Sequence, residues 1–188
     1  MTNTDDDSST THPAPNEPTA APLSQQTPNK TRVPPTLVEV GNGAIAIWHR
    51  PKLRILRLMK ADGLTTVVTL LTESEGAPHI GRAALAAELE WVWVPMQGAG
   101  IPEQEQQDAI VAQLAYVAAC IDNGARVLIH CSAGIHRTGM FTYALLRYMG
   151  IDTQSARQTL SRLRSVTGEG VGESRLAWGD SIARPNPL

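Results

Sequence analysis

Only two cysteines, Cys120 and Cys131, occur in 188 residues, which excludes a disulfide-built fold. No stretch approaches the ~20 continuous apolar residues that a membrane-crossing helix needs, and the N-terminus lacks the basic start and apolar core of a secretion signal. There is little net charge either: 16 basic against 18 acidic residues leave −2, all of it from the first 35 positions. A balanced remainder argues against a broad nucleic-acid or membrane surface, while leaving room for a local cationic pocket. No internal repeat and no metal-ligand cluster can be found, so neither a metal nor another cofactor is expected.

Residues 1–35 carry seven of the thirteen prolines and no aromatic or β-branched apolar residue before Val33. Such a segment cannot bury enough surface to offset its ordering entropy, so a disordered tail is expected over 1–35 and a folded domain over 36–188. Leu37 to Val40 and Ala44 to Trp48 read as strands about a Gly41-Asn42-Gly43 turn. A helix starts at Pro51 with Leu53, Ile55, Leu56, Leu58 and Met59 on its buried face, and Lys52, Arg54, Arg57 and Lys60 in water. Leu64 to Leu71 reads as a strand covered on both sides. After a loop over Thr72 to Ala77 come a helix from Ile80 to Leu89, a strand from Trp91 to Val94, and a long helix from Pro102 to Ile121. The strand Ala125 to Ile129 follows, then helices to Met149, from Thr153 to Arg164, and from Glu173 to Ile182. Ser165 to Gly172 looks too rich in glycine for regular structure. Alternating strand and helix define an α/β fold.

The chemistry gathers between Ala125 and Gly139. Cys131 stands at the C-terminal edge of a strand, where open α/β sheets place their ligands. Small residues at Ser132, Ala133 and Gly134 allow successive amides to curl around an anion at a helix N-terminus. Arg137 can fork onto two oxygens of a phosphate held there. The same field brings a thiol from a pKa of about 8.5 to roughly 3.5–7.5, so Cys131 is expected as a thiolate nucleophile. Sulfur and cradle together suit phosphoryl transfer through a cysteinyl-phosphate. Cys120, about 17 Å from Cys131 at ~3.3 Å per strand residue, is out of disulfide reach and reads as core.

His130 to Gly139 resembles the His-Cys-x5-Arg-Ser/Thr signature of the cysteine-dependent protein tyrosine and dual-specificity phosphatases. The resemblance implies a compact dual-specificity-phosphatase-like fold, with a central, mostly parallel sheet and helices on both faces. It implies a phosphomonoesterase in which Cys131 attacks phosphorus and the Arg137 side chain, with the amides of Ser132, Ala133, Gly134, Ile135, His136 and Arg137, holds the phosphate. Thr138 would assist the sulfur, and His130 would orient the loop and support the thiolate. The expected partner is a phosphorylated protein or small phosphorylated molecule. A deep pocket would select phosphotyrosine and a shallow one would admit phosphoserine or phosphothreonine. The expected state is a cytoplasmic monomer.

Two positions depart from the family pattern. The loop Val94 to Pro102 should carry an acidic residue to protonate the leaving oxygen, yet Gln97 stands where aspartate is expected. Loss of such an acid is typically worth ~10²–10⁴ in rate. Glu103 is the first candidate for a relocated acid, ahead of Glu105 and Asp108, which suit the helix dipole. The alternatives are esters with good leaving groups only, or a pseudophosphatase that binds phosphate without turnover. His136, just before the arginine, either contacts substrate or is a solvated loop side chain; it leaves phosphoinositides open as substrates. Sulfur transfer or arsenate reduction on a similar loop is a further, weaker alternative. The segment around Thr167, Glu169 and Arg175 is a candidate to return to the site.

Overall fold

Successive residues of a strand point to opposite sides of a sheet, so a strand buried at every position is covered on both faces. The computed structural model describes residues 35–182, and apart from Pro35 the expected tail lies outside the described residues. Strands β1 (Leu37–Val40), β2 (Gly43–Trp48), β3 (Thr66–Thr69), β4 (Glu90–Trp93) and β5 (Arg126–His130) form one sheet in the order β1-β2-β5-β3-β4. β1 and β2 pair antiparallel, and the other pairs are parallel. Almost every residue of β2, β3 and β5 is buried. The Val/Ile-rich runs of the sequence are therefore the sheet's two-sided interior, as expected.

Helix α2 (Ala77–Leu85) covers β3 and β4, with α1 (Leu56–Ala61) beside it. Helices α3 (Gln104–Asp122), α4 (His136–Tyr148) and α5 (Thr153–Leu163) lie against β1, β2 and β5. α6 (Ser165–Gly170) and α7 (Glu173–Ser181) pack onto α4. Every residue from Arg137 to Leu146 is buried, so α4 runs through the interior and fixes whatever its first turn carries. Asp180 Oδ1 ties α7 to it, accepting from Tyr143 Oη at 2.9 Å and Arg147 Nε at 2.7 Å.

Three expectations are corrected. Leu53 and Leu58, expected on a buried face, are 45% and 66% exposed. Residues Leu53–Ile55 form a 3-10 turn, so a count at 3.6 residues per turn from Pro51 loses phase, while Ile55, Leu56 and Met59 face the core as expected. Ser165 to Gly172, expected to be irregular, contains α6, whose glycines serve close packing: a Cβ at Gly170 would stand 2.8 Å from Ile135. Cys120 is half-buried rather than core, and both cysteines are free thiols.

Register brings the loops together. Trp48 and Thr69 both pair with His130, and Trp93 pairs with Thr69. The segments that follow these four residues therefore leave the sheet at one edge, side by side. A local packing constraint holds the neighbouring helix: a Cβ at Gly81 of α2 would stand 2.6 Å from the Trp91 ring. Gly81→Ala is expected to destabilise the fold by about 1–3 kcal/mol through overpacking, read as a lower urea midpoint at unchanged slope; an unmoved midpoint would show that α2 shifts freely.

Candidate active site

At that edge the chain between β5 and α4 forms a ring whose peptide directions can be read from its carbonyls. A trans peptide points C=O and N–H to opposite sides, so each carbonyl held outward sends the next residue's amide inward. Cys131 O faces His130 Nδ1 at 3.3 Å. Ser132 O accepts from the Arg50 amide at 3.0 Å, and Ile135 O from the Gly139 amide at 2.7 Å. Arg164 Nη1 donates to Ala133 O at 3.0 Å and to Gly134 O at 2.8 Å, and Thr167 Oγ1 donates to Gly134 O at 2.6 Å. Five consecutive carbonyls thus have donors outside the ring. One inward amide is seen in use, since Gly134 N donates to Cys131 Sγ at 3.3 Å.

Cys131 is 3% exposed, at the floor of this ring. Burial pushes its thiol up, but the Thr138 hydroxyl and amide, the Gly134 amide and the Arg137 charge outweigh it and bring the pKa below the ordinary thiol value. The Thr138 hydroxyl is fully buried, and among the described residues it has no hydrogen-bond partner other than this sulfur. It is thus free to serve the sulfur beside it.

Arg137 is held as a fork. Its Nη1 and Nη2 donate to the two oxygens of Glu75, both at 2.7 Å. Nη1 also donates to Met96 O at 3.0 Å and Leu70 O at 3.2 Å. A guanidinium has five N–H donors and a second, side-on edge. Here the end-on edge belongs to Glu75, which leaves Nε–H and one Nη2–H for a ligand. The Arg137 hydrogen bonds hold the Glu75 carboxyl down at about 2 against the opposing effect of burial, so it stays ionised. Glu75 is itself placed by reciprocal bonds with Thr72: Thr72 N donates to Glu75 Oε2 at 2.9 Å and Glu75 N to Thr72 Oγ1 at 3.3 Å. Arg50 Nη2 donates to the Glu75 carbonyl.

His130 is wholly buried. Trp91 Nε1 donates to Thr69 Oγ1 at 2.9 Å, and Thr69 Oγ1 lies 3.0 Å from His130 Nε2. Cys131 O can only accept, so the imidazole proton sits on Nδ1, and Nε2 accepts from the Thr69 hydroxyl. Desolvation brings the pKa of His130 down to about 4, leaving it neutral. A neutral, doubly anchored ring orients the loop and is not a base.

The remaining expected residues fall around this core. Ser132, Ala133 and His136 are exposed at the rim. Met96 is buried at 2% exposure while Gln97 is exposed. The loop carrying them is held again at Ala99, whose carbonyl accepts from Arg175 Nε at 2.5 Å. Glu103 is exposed at the N-cap of α3 and makes no capping bond with its side chain. Thr167 reaches the site directly and Arg175 through Ala99, whereas Glu169 is exposed. Among the described residues, no group of three or more His, Cys, Asp or Glu is placed to hold a metal ion, and no helix is long and apolar enough to cross a membrane.

Solved structures similar to this chain in fold include several named as phosphatases. The active form of Tk-PTP matches with a TM-score of 0.61 at 23% identity, covering 78% of this chain and 94% of its own. Kinase-associated phosphatase, with its catalytic cysteine replaced by serine, matches at 0.63 and 16% identity over 82% of this chain and 99% of its own. PTPMT1 matches at 0.59 and 18% identity over 79% and 94%. Residues 47–151, more than half of the chain, match the Tc-R-P family, described as the DSP-PTPase phosphatase of polymorphic toxin systems, and the chain belongs to that family. Curated protein sequences include no significant match.

Two outcomes follow from the site's charges. The folded His130 pKa lies below its ordinary value of 6.5, so the unfolded chain binds a proton the folded one refuses. Stability is then expected to fall as pH drops from about 6.5 to about 4, by up to about 3 kcal/mol, and His130→Asn should flatten urea midpoints across that window. For Arg137, whose side chain is 9% exposed, Glu75→Gln removes the partner of a buried charge. With Glu75 itself one-third exposed, a loss of about 1–3 kcal/mol is expected in the same assay, with weaker phosphate binding by calorimetry.

Proposed function

We propose that the chain hydrolyses phosphomonoesters through a cysteinyl-phosphate intermediate, with Cys131 as nucleophile. The observation that carries this reading is the sulfur at the floor of a ring of inward amides, beside an arginine whose side-on edge is taken by no carboxylate or carbonyl among the described residues. A phosphate dianion entering the ring meets the amides of Ser132 to His136 and the Nε–H and Nη2–H of Arg137, which also stabilise charge on the equatorial oxygens in the transition state. The Cys131 thiolate attacks phosphorus in line. The S–P bond forms as the P–O bond to the leaving group breaks, and the leaving oxygen takes a proton. Water then attacks phosphorus, the S–P bond breaks, and inorganic phosphate leaves with the thiolate restored. Thr138 supports that thiolate as leaving group, and His130 keeps the first carbonyl of the ring turned away.

Protonation of the leaving oxygen is assigned to Glu103. The loop 94–102 offers no carboxylate, and the Glu103 side chain is not engaged in capping α3. Its exposure equally suits a pseudophosphatase that binds phosphate without turnover. Phosphotyrosine is the assigned substrate, with phosphoserine and phosphothreonine admitted if the rim proves shallow and phosphoinositides if His136 contacts substrate. The reactive thiolate suits a reducing compartment, so the cytoplasm is the assigned site of action, with residues 36–188 as the catalytic unit working as a monomer.

Purified protein is expected to hydrolyse an aryl phosphate in the presence of a chelator and to lose that activity as Cys131→Ser; retained activity would overturn the mechanism. Glu103→Gln should slow turnover of a phosphotyrosine peptide by about 10²-fold or more and spare an aryl ester with a good leaving group. Equal rates on both would remove Glu103 from the chemistry. Phosphate binding without any trapped cysteinyl-phosphate would establish the binding module instead.

A further inference from the structure

Within the ring, Gly134 has a left-handed backbone, φ +72°. A side chain there would collide with the Trp48 carbonyl and the His49 amide, so the position must be glycine. Glycine also has the lowest barrier to rotating its peptides. The same residue that lets the ring close is therefore the one at which a peptide can most easily turn over. Reversal of the Gly134-Ile135 peptide would replace an inward N–H by an inward carbonyl, aimed at the anion the ring is built to hold.

Two side chains oppose that reversal. Gly134 O accepts from both Arg164 Nη1 at 2.8 Å and Thr167 Oγ1 at 2.6 Å, and the same Arg164 nitrogen holds Ala133 O at 3.0 Å. No other ring carbonyl has two side-chain donors among the described residues. Arg164 is half-buried and Thr167 fully buried. The backbone supports the placement: Arg164 is extended at φ −166° between α5 and α6, which turns the chain so that α6 lies along the ring. Gly170 and Val171 then close on Ile135 and Gly139, with hypothetical Cβ atoms on the glycines 2.8 Å from their neighbours.

We propose that Arg164 and Thr167 are positioning residues that lock the Gly134 peptide in its anion-binding orientation, making α6 the support that keeps the ring competent. Resting on the phosphate-ring reading above, the proposal adds residues outside the signature, more than twenty positions beyond it. Arg164 acts through carbonyls, not on the ligand. By holding Ala133 O outward, Arg164 also keeps the Gly134 amide aimed at the sulfur, and that amide is one of the groups that bring the thiol below its ordinary value.

The experiment reads the ring without requiring turnover. Alkylation of Cys131 by iodoacetamide is followed against pH, and inorganic phosphate binding is measured by calorimetry. Arg164→Ala is expected to move the alkylation midpoint up by about one pH unit, and Arg164→Ala and Thr167→Val are each expected to weaken phosphate by about tenfold. Arg164→Lys should recover part of both, and exposed Arg162→Ala should change neither. If Arg164→Ala does not fold, Thr167→Val and Arg164→Lys carry the test. Unchanged midpoint and phosphate affinity in these variants would overturn the proposal. A wild-type protein with an ordinary thiol midpoint and no phosphate binding would instead overturn the phosphate-ring reading itself.

Discussion

A planar peptide cannot offer its N–H to the inside of a ring without sending its carbonyl out, and this one restriction falls on five consecutive peptides from Cys131 to His136. Outward carbonyls at a sheet edge must find donors or water. In this protein the donors come from β5 itself through His130, from the segment after β2 through Arg50, from α4 through Gly139, and from the α5–α6 junction through Arg164 and Thr167. The sheet order is what makes that possible. With β5 flanked by β2 and β3, the segments after all three strands open beside the ring, and no element has to reach across the sheet.

Charge is arranged around the same ring with little to spare. The ionised Glu75 offsets Arg137, and His130 is neutral, so the positive charge on the outside of the ring comes from Arg164 on the Ala133 and Gly134 carbonyls. Inside the ring, attraction for a dianion would come from oriented amides and the N-terminus of α4, which act at short range. Glu75 is the counterweight that lets a guanidinium be buried at all. By taking the end-on edge of Arg137 it also fixes the plane of the side-on edge, converting a flexible side chain into a preset donor pair.

Much of this was legible in the residues, and the rest was hidden for definite physical reasons. Cys131, Arg137 and the strand before them stand out because their spacing is local, enforced by one turn of chain. Glu75 lies 62 positions before Arg137, and no periodicity links them. A signal did exist: Thr72-Glu73-Ser74-Glu75 spells a capping box, whose reciprocal bonds hold the Glu75 backbone and carboxylate in place. Arg164 looked like an ordinary helix-end residue, and its role depends on the turn that follows. Glycine propensity alone argues against regular structure there, whereas in α6 the missing side chains let a helix approach the ring. Leu53 and Leu58 failed for a related reason, since a 3-10 turn shifts phase without changing composition.

The loop between β4 and α3 shows how the fold constrains any proton donor. Two carbonyls anchor it, Met96 to Arg137 on the ring side and Ala99 to Arg175 on the α7 side. Between these anchors lie only Gln97 and Gly98, both exposed, and neither can supply a proton at neutral pH. An acid supplied by this segment would have to come from beyond Ala99, along a stretch whose Gly100 has open space around it, and Glu103 is the first carboxylate there. Because the same guanidinium that would bind phosphate also holds Met96, filling the ring and placing this loop are mechanically linked. A proton donor carried by the loop would share that link, and its absence would leave the ring able to grip phosphate while the leaving group departed unassisted.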